Sequence, residues 1–511
     1  MRAGRDSGER PPRVGLSVLA KASVASVLIL LCSAGAVVAG VLVQVHKIVH
    51  PPPLKNLPPP EKPIDDAPVE AVKPGGPRTI LVLGSDRRSK RSADAKVGFE
   101  ARSDTILLIR LDPKRHRVAA LSIPRDLAVT IPGHGENVKI NEAYTDGGPG
   151  LTVKTVKNLF RTATGNNFPI NGVVDVNFNG FQRLVNYVHG VYVDVDRRYY
   201  IPPNTGTSAI DLQPGYQKLT GSQALSYVRY RHTDSDLFRA ARQQDFLRQA
   251  VSQPAVQKMK NLSGAERLLQ IMQSYMRFDK NFLSSSNVVG MLRTALSLSQ
   301  THSPVNQIPF AGVQDAPNPE TDTRLYISQN SLRSIYTAFM TGEGSRNPKR
   351  VTTTTKRKKV KTSSVSGLEN AQHLGENMAV LADPKLDFPF YFPQYRALGS
   401  QYTNDDPYIY KITDESNKRH QAYRIVISAP GPGEYYGLQG TTWKSPPVLA
   451  NPDRVVNQNG RKLLLFYDGS HLRAVGWRTP RGAYWVSNTL TYALPNTRMI
   501  AIAASMSHLK Q

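Results

Sequence analysis

The chain has 511 residues, enough for two or three folded domains. Its 65 Lys and Arg residues against 39 Asp and Glu give a formal net charge of +26, which favours a polyanionic partner: nucleic acid, anionic lipid or an acidic polymer. Cys32 is the only cysteine, so an internal disulfide is excluded and each domain depends on its own hydrophobic core.

The first predicted element is a transmembrane helix from Ala22 to Val43, an uncharged and mostly apolar segment. As a helix it is long enough to cross a hydrocarbon core of about 30 Å. Five basic residues precede it, which predicts that residues 1–21 form a cytoplasmic tail: Arg2, Arg5, Arg10, Arg13 and Lys21. The alternative is a signal peptide cleaved near Ala34-Gly35-Ala36. Either way the rest of the chain lies outside the cytoplasm, which argues against nucleic acid and favours membrane and cell-wall partners.

Four segments with different compositions follow. Residues 44–77 are rich in proline and predict an extended stalk. Residues 78–345 alternate strand and helix patterns, which predicts an α/β fold with layered elements. Residues 346–366 are basic without any acidic residue and predict a disordered linker, either a plain spacer or a segment attracted to anionic polymer. Residues 367–511 predict a smaller β-rich domain.

Apolar spacing predicts further individual elements. In residues 78–345 we expect a strand at residues 191–196 and helices at Leu151–Arg161, Phe178–Val188, Ser263–Met276, Val288–Leu298 and Ser331–Met340. In residues 367–511 we expect strands at Tyr423–Ile427, Lys462–Tyr467, Leu472–Trp477 and Ala483–Val486, and a closing helix at Met499–Leu509. Asn459-Gly460 and Asp468-Gly469 are hairpin signals between these strands. The three tryptophans, Trp443, Trp477 and Trp485, are either core residues or a surface that stacks on sugar rings.

Asp and Arg residues accompany three predicted strands of the α/β domain. The run Thr79–Leu83 leads into Asp86, Arg87 and Arg88; Arg102 and Asp104 lead into Ile106–Leu111; and Val118–Ile123 leads into Arg125 and Asp126. Carboxylates hold Mg²⁺, and guanidinium groups neutralise phosphate charge. The pattern predicts a magnesium-assisted phosphoryl site.

A second group of basic residues follows an apolar lead-in at residues 224–228. Arg229 and Arg231 alternate as they would at a strand end, whereas Arg239, Arg242 and Gln243 have the spacing of one helix face. Guanidinium groups bind phosphate through two oxygens at once, so this group predicts an anion site. The alternative is a solvated basic helix.

Seven motifs in this order resemble the LytR-CpsA-Psr family of cell-wall glycopolymer ligases. They cover about residues 78–315 and read LGSDRR (83–88), RSDT (102–105), SIPRD (122–126), VKINEAY (138–144), FNGFQRLVNYVHGVYVDVD (178–196), the region 219–231 ending in YVRYR, and FRAARQQ (238–244). The resemblance implies a layered α/β/α domain with a central mixed sheet. It also implies transfer of a glycan from a polyprenyl-pyrophosphate carrier onto a peptidoglycan hydroxyl as a phosphodiester, in a Gram-positive wall.

The resemblance implies roles for individual residues. Asp86 and Asp104 would hold Mg²⁺. Separately from the resemblance, the reaction needs a carboxylate within hydrogen-bond reach of the attacking hydroxyl to accept its proton, and Asp104 and Asp126 are the two candidates. The residues expected to contact the pyrophosphate are Arg88, Arg102, Arg125, Arg229, Arg231, Arg239 and Arg242, with Gln243 beside them and Arg87 as an alternative to Arg88. A pyrophosphatase side activity is a further expectation.

The chain departs from the family pattern after Asp236, because Phe238 stands where the family commonly has Gly. Two other classes of function remain as alternatives: an envelope-associated transcriptional attenuator, and a polyprenyl-lipid-binding protein without catalysis. The short segment before Ala22 argues against a DNA-binding domain.

Overall fold

The computed structural model describes residues 59–72, 76–87, 101–203, 209–230, 236–251, 253, 272–280, 282, 305–342 and 365–509. The predictions that lie outside these residues concern Ala22–Val43, Val288–Leu298, most of Ser263–Met276 and of the basic linker, Arg88 and Arg231. Within the described part of the chain, no helix is long and apolar enough to cross a membrane.

The first domain, residues 59–342, contains fourteen strands and five helices among its described residues. The strands are β1 (Arg78–Ser85), β2 (Ser103–Asp112), β3 (Arg117–Ile123), β4 (Ala128–Ile131), β5 (Gly135–Lys139), β6 (Gly172–Asn177), β7 (Val191–Val195), β8 (Tyr199–Ile201), β9 (Ile210–Leu212), β10 (Gly215–Leu219), β11 (Met276–Phe278), β12 (Val305–Ile308), β13 (Val313–Asp315) and β14 (Leu325–Ile327). The helices are α1 (Glu142–Thr164), α2 (Phe178–Tyr187), α3 (Gly221–Arg229), α4 (Asp236–Val251) and α5 (Gln329–Thr341). The predicted strand at residues 191–196 and the helices at Leu151–Arg161, Phe178–Val188 and Ser331–Met340 are confirmed.

A six-stranded mixed sheet in the order β11-β6-β1-β2-β3-β12 forms the centre of this domain. β6 is parallel to β1 and β12 is parallel to β3, whereas β2 is antiparallel to both of its neighbours. One face packs on α1 and α5 through residues such as Leu83 and Phe160, and the other packs on α2, α3 and α4 through residues such as Ile80 and Phe246. The expected layered α/β/α arrangement is therefore present.

Local sequence chemistry sets the helix boundaries near the sheet. α3 begins with a capping box, in which the Thr220 side chain accepts from the Gln223 backbone and the Gln223 side chain caps the Thr220 backbone. The Asn177 side chain caps α2 by accepting from the Gly180 N–H. α1 is interrupted at Gly147 and Gly148, which have non-helical torsion angles just before Pro149.

Part of the predicted stalk at residues 44–77 is not a free spacer, because residues 59–72 pack on the first domain. Ile64 is buried, and its N–H donates to the Phe278 carbonyl beside β11. The N–H of Glu70 likewise donates to the Ile170 carbonyl. Proline density predicted an extended backbone, but these contacts fix this part of it against the domain.

The second domain, residues 365–509, is β-rich as predicted. Its strands are β15 (Leu368–Asn370), β16 (Phe392–Pro393), β17 (Tyr395–Ala397), β18 (Gln401–Tyr402), β19 (Tyr408–Thr413), β20 (Arg419–Ser428), β21 (Tyr435–Thr441), β22 (Arg454–Gln458), β23 (Arg461–Asp468), β24 (His471–Arg478), β25 (Ala483–Ser487) and β26 (Met506–Ser507). Its helices are α6 (Gln372–Ala382) and α7 (Asn496–Ala504), with 3-10 turns at Asp383–Lys385 and Pro447–Leu449.

An antiparallel sheet of eight strands forms the core of the second domain, in the order β18-β20-β21-β25-β24-β23-β22 with β19 also paired to β20. The four predicted strands and both hairpins are confirmed. Asn459 and Gly460 both have positive φ, as this two-residue turn requires. The predicted closing helix at Met499–Leu509 is only partly correct, because α7 ends at Ala504 and β26 then pairs with β16.

The two domains share a core. Tyr192 of β7 and Tyr216 of β10 pack into the apolar cluster on one face of the second domain's sheet. Asp194, also on β7 and paired with Tyr216, accepts from Arg424 at 2.9 Å and from the Trp485 indole at 2.9 Å. These contacts fix the second domain on the first, which the predicted disordered linker between them did not indicate.

The tryptophans of the second domain do not form an exposed sugar-stacking surface. Trp477 and Trp485 are buried, and Trp443 is half-buried with its ring against those of Tyr192 and His420. Of the two interpretations of these aromatic residues, core packing is correct for Trp477 and Trp485.

Candidate active site

The register of the central sheet brings three predicted strand ends together. Gly84 of β1 pairs with Thr105 of β2, and Ile123 of β3 pairs with Ile106. Because β2 runs antiparallel to both neighbours, its first residues lie beside the last residues of β1 and β3. Asp86, Asp104 and Arg125 therefore share one edge of the sheet, as the sequence predicted.

Asp86 and Asp104 form a carboxylate pair at this edge. The Arg102 N–H donates to Asp86 Oδ1 at 2.6 Å, and the Arg102 side chain is exposed. Burial and the neighbouring Asp104 carboxylate raise the pKa of Asp86, although the Arg102 N–H and the Arg229 charge oppose this. A site that disfavours a second negative charge is one that a cation would stabilise.

Two arginines contact the Asp104 carboxylate. Arg125 Nη1 donates to Asp104 Oδ1, and Arg229 Nη2 lies 3.9 Å from Oδ2. The Arg229 side chain is 40% exposed, and its guanidinium carbon lies 3.9 Å from the centre of the Phe178 ring. This stacking orients the guanidinium while leaving surface for a ligand.

Arg229 does not lie at a strand end, so that prediction was wrong. It is the last residue of α3, a helix whose apolar residues Ala224, Tyr227 and Val228 are buried against the sheet. The alternation in YVRYR is short, and the capping box at Thr220 favours helix instead. Arg229 nonetheless reaches Asp104, so its predicted place in the site is retained.

Arg242 has no exposed surface in this structure. Its Nη1 donates to the carbonyls of Tyr227 and Tyr230, at 3.0 and 2.8 Å, and its Nε donates to the Tyr199 hydroxyl. A guanidinium buried in this way cannot contact a bound pyrophosphate, which corrects the prediction for Arg242. Arg239 is also buried, with 5% of its surface exposed.

Gln243 and Asp126 connect the elements around the site. Gln243 Nε2 donates to the Thr105 hydroxyl of β2 and to the Val228 carbonyl of α3. Asp126 is 2% exposed, with its carboxylate 3.1 Å from Lys139 Nζ and 3.5 Å from Arg125 Nε. Asp126 is therefore placed to orient Arg125, and its predicted role as a base that a hydroxyl can reach is not supported.

The structure adds a buried carboxylate that the sequence motifs did not indicate. Asp175 of β6 is fully buried and accepts from the Ser85 hydroxyl at 2.7 Å and from the Tyr144 hydroxyl at 2.9 Å. Arg87 Nε lies 3.5 Å from Asp175, and Arg87 Nη1 lies 3.3 Å from Glu61. Arg87 is thus held by carboxylates beside the site. An Asp inside the apolar strand GVVDVN was the signal in the sequence.

The donor set at this edge fits a magnesium ion that has further oxygen ligands from elsewhere. Among the described residues no three His, Cys, Asp or Glu side chains are grouped so that they could hold a metal by themselves. Mg²⁺ commonly binds one or two carboxylates and completes its shell with water and phosphate oxygens. Asp86 and Asp104 provide such a pair, with guanidinium groups beside them for phosphate.

Comparisons with known proteins agree with the motifs. The sequence profile of the LytR_cpsA_psr family matches residues 59–338. The chain is 34% identical over 227 residues to the polyisoprenyl-teichoic acid–peptidoglycan teichoic acid transferase TagT of Bacillus subtilis, and 33% identical over 206 residues to TagU of Bacillus anthracis. These alignments cover 44% and 40% of this chain, but only 66% and 61% of the two relatives.

Solved structures show weaker similarity. A crystal structure of B. subtilis TagV is 24% identical, with coverage of 53% of this chain and 97% of that chain and a TM-score of 0.40. A family protein, YwtF (TagT) with bound octaprenyl pyrophosphate lipid, is 26% identical, with coverage of 53% and 92% and a TM-score of 0.36.

Proposed function

Because the chain belongs to the LytR_cpsA_psr family, as its motifs predicted, we propose that it is a phosphotransferase of cell-wall assembly. It would move a glycopolymer from a polyprenyl-pyrophosphate carrier onto a peptidoglycan hydroxyl. The observation that carries the proposal is the convergence of Asp86, Asp104, Arg125 and Arg229 at one sheet edge. Two matched relatives are named as transferases of teichoic acid to peptidoglycan.

The exposed arginines of the site are suited to the pyrophosphate. Arg102 and Arg229 have exposed side chains, and Arg125 is partly exposed. Guanidinium groups would neutralise the charge that develops on the departing polyprenyl phosphate. A magnesium ion held by Asp86 and Asp104 would polarise the phosphate oxygens when bound.

The chemical step is a displacement at phosphorus. The acceptor hydroxyl oxygen forms a bond to the phosphorus that carries the glycan, while the bond from that phosphorus to the bridging oxygen breaks. Polyprenyl phosphate leaves with the bond's electron pair, and a carboxylate takes the hydroxyl proton. Of the two predicted bases, Asp104 is the one with exposed surface, since Asp126 is buried beside Lys139.

A transfer assay tests this proposal. Full-length protein is incubated with magnesium, a lipid-linked oligosaccharide pyrophosphate and purified peptidoglycan, and the glycan retained on the wall is measured. Asp104→Ala should abolish transfer. Asp211→Ala is the matched control, because Asp211 also pairs with an arginine, Arg198, but at an exposed surface.

Two other results would contradict the proposal. Binding of the donor without turnover by the wild type would favour the alternative of a polyprenyl-lipid-binding protein without catalysis. Wild-type activity in Asp104→Ala would show that this carboxylate is not part of the site. Loss of activity in both variants would point to a general effect of removing a carboxylate.

The proposed location is the cell membrane, with the amino terminus in the cytoplasm and both domains outside. The support is the apolar segment Ala22–Val43 and the basic residues before it. Protease added to intact protoplasts should degrade the first domain. Protection of this domain would overturn the topology.

A further inference from the structure

A turn of the second domain contacts the first domain at two points, one next to Tyr230 and the other at Phe238, which are chain neighbours of Arg229 and Arg239. This turn, residues 429–434, connects β20 to β21 and is closed by a hydrogen bond from the Ala429 N–H to the Glu434 carbonyl at 2.8 Å. Tyr435 follows it as the first residue of β21. We refer to residues 429–435 as the bracing turn.

The first contact is made by Tyr435. The guanidinium carbon of Arg197, in the first domain, lies 5.1 Å from the centre of the Tyr435 ring. The same carbon lies 4.7 Å from the Tyr199 ring and 5.6 Å from the Tyr230 ring. Arg197 is thus surrounded by three aromatic rings, one of which comes from the second domain. Tyr230 directly follows Arg229, which reaches Asp104.

The second contact is made by Gly433. A β-carbon built on Gly433 would lie 2.7 Å from Cε2 of Phe238, so the Phe238 ring packs directly on this glycine. Gly433 also has φ +80°, which a glycine adopts without strain. Phe238, at the start of α4, directly precedes Arg239. The aromatic residue that departs from the family pattern therefore has a partner in the second domain.

We propose that the bracing turn positions the donor site, by fixing Tyr230 through Arg197 and fixing Phe238 through Gly433. The inference deepens the proposed function and rests on it for the identity of the donor. Tyr435 and Gly433 are positioning residues, since they act through neighbours of Arg229 and Arg239. The second domain then belongs to the catalytic unit.

The contacts of Tyr230 explain how the bracing turn affects the end of α3. Two arginines contact Tyr230: Arg242 donates to its carbonyl, and the Arg197 guanidinium carbon lies 5.6 Å from the centre of its ring. Replacing Tyr435 with Ala would remove one of the three rings around Arg197 and weaken the contact between Arg197 and Tyr230. The end of α3, which carries Arg229, would then open more often.

Hydrogen exchange on the full-length protein without ligand tests the bracing itself. In Tyr435→Ala, amides at residues 228–230 and 238–243 should exchange roughly fivefold faster, which corresponds to one lost cation–π contact. Tyr435→Phe keeps the ring and should match the wild type. Tyr395→Ala is the control for loss of a tyrosine elsewhere in the second domain. Unchanged exchange in Tyr435→Ala, or equal acceleration in Tyr435→Phe, would overturn the inference.

Binding of geranyl pyrophosphate with magnesium, measured by calorimetry, separates this inference from the proposed function. We expect a roughly fivefold larger Kd in Tyr435→Ala and wild-type affinity in Tyr435→Phe. A wild-type protein that does not bind the probe would count against the proposed donor site, while faster exchange would still support the bracing. Binding by the wild type with an unchanged Kd in Tyr435→Ala would refute the link to the donor site.

Discussion

Replacing Arg242 with Met tests whether this arginine stabilises the first domain or contacts the donor. Its buried guanidinium donates to the carbonyls of Tyr227 and Tyr230 and to the hydroxyl of Tyr199. Met has no donor, so two carbonyls would lose this partner at a cost of about 1 to 3 kcal/mol each. We expect a loss of roughly 4 kcal/mol in stability and a fall of about 10 °C in the melting temperature.

Thermal unfolding and donor binding measured on the same preparations decide between the two roles. Arg229→Met is the matched control, because it removes the same group from a 40% exposed position. It should leave the melting temperature nearly unchanged and weaken binding of an isoprenyl pyrophosphate. If Arg242→Met kept its melting temperature but lost donor binding, Arg242 would be a ligand and the buried conformation would not be the one that binds.

Three further predictions follow from the site and the interface. Arg125→Lys should abolish transfer while changing the melting temperature little, because one ammonium cannot reproduce the guanidinium contacts with Asp104 and its neighbours; retained activity would contradict this. Burial and Asp104 raise the pKa of Asp86, so the folded state favours its protonated form and loses that contribution to stability as pH rises through the raised pKa. Asp86→Asn should therefore have a higher melting temperature than the wild type at pH 7 but not at pH 3, and magnesium-dependent donor binding should be lost. A variant whose melting temperature equals that of the wild type at both pH values would contradict this prediction. Asp194→Ala leaves the buried Arg424 without its carboxylate partner and should lower the free energy of unfolding by about 3 to 5 kcal/mol. Limited proteolysis of the second domain should then be faster, and an unchanged rate would argue against a shared core.

The sequence determined the elements whose signals are local. Continuous apolar runs predicted β1, β2 and β3, because strands covered on both faces need apolar residues at every position. Asn459-Gly460 predicted a hairpin because its positive φ angles suit these two residue types. The order of the Asp and Arg motifs was enough to identify the family.

Only the tertiary structure decided which arginines are available to a ligand. Arg229 and Arg242 lie thirteen positions apart in one basic region, yet one is exposed beside Asp104 and the other is buried among tyrosines. The difference depends on what packs over each side chain, and for Arg242 this is Tyr227 and Tyr230 at the end of α3 together with Tyr199 of β8. Burial of Asp126 beside Lys139 has the same origin.

The relation between the two domains was likewise decided by the tertiary structure. A basic linker gave no sign that Asp194 would accept from Arg424 and Trp485, or that Phe238 would pack on Gly433. These contacts join residues separated by roughly 200 positions or more, and local propensity carries no information about such pairs. Composition could predict a β-rich second domain, but its attachment to the first domain arises from complementary surfaces that form only in the folded chain.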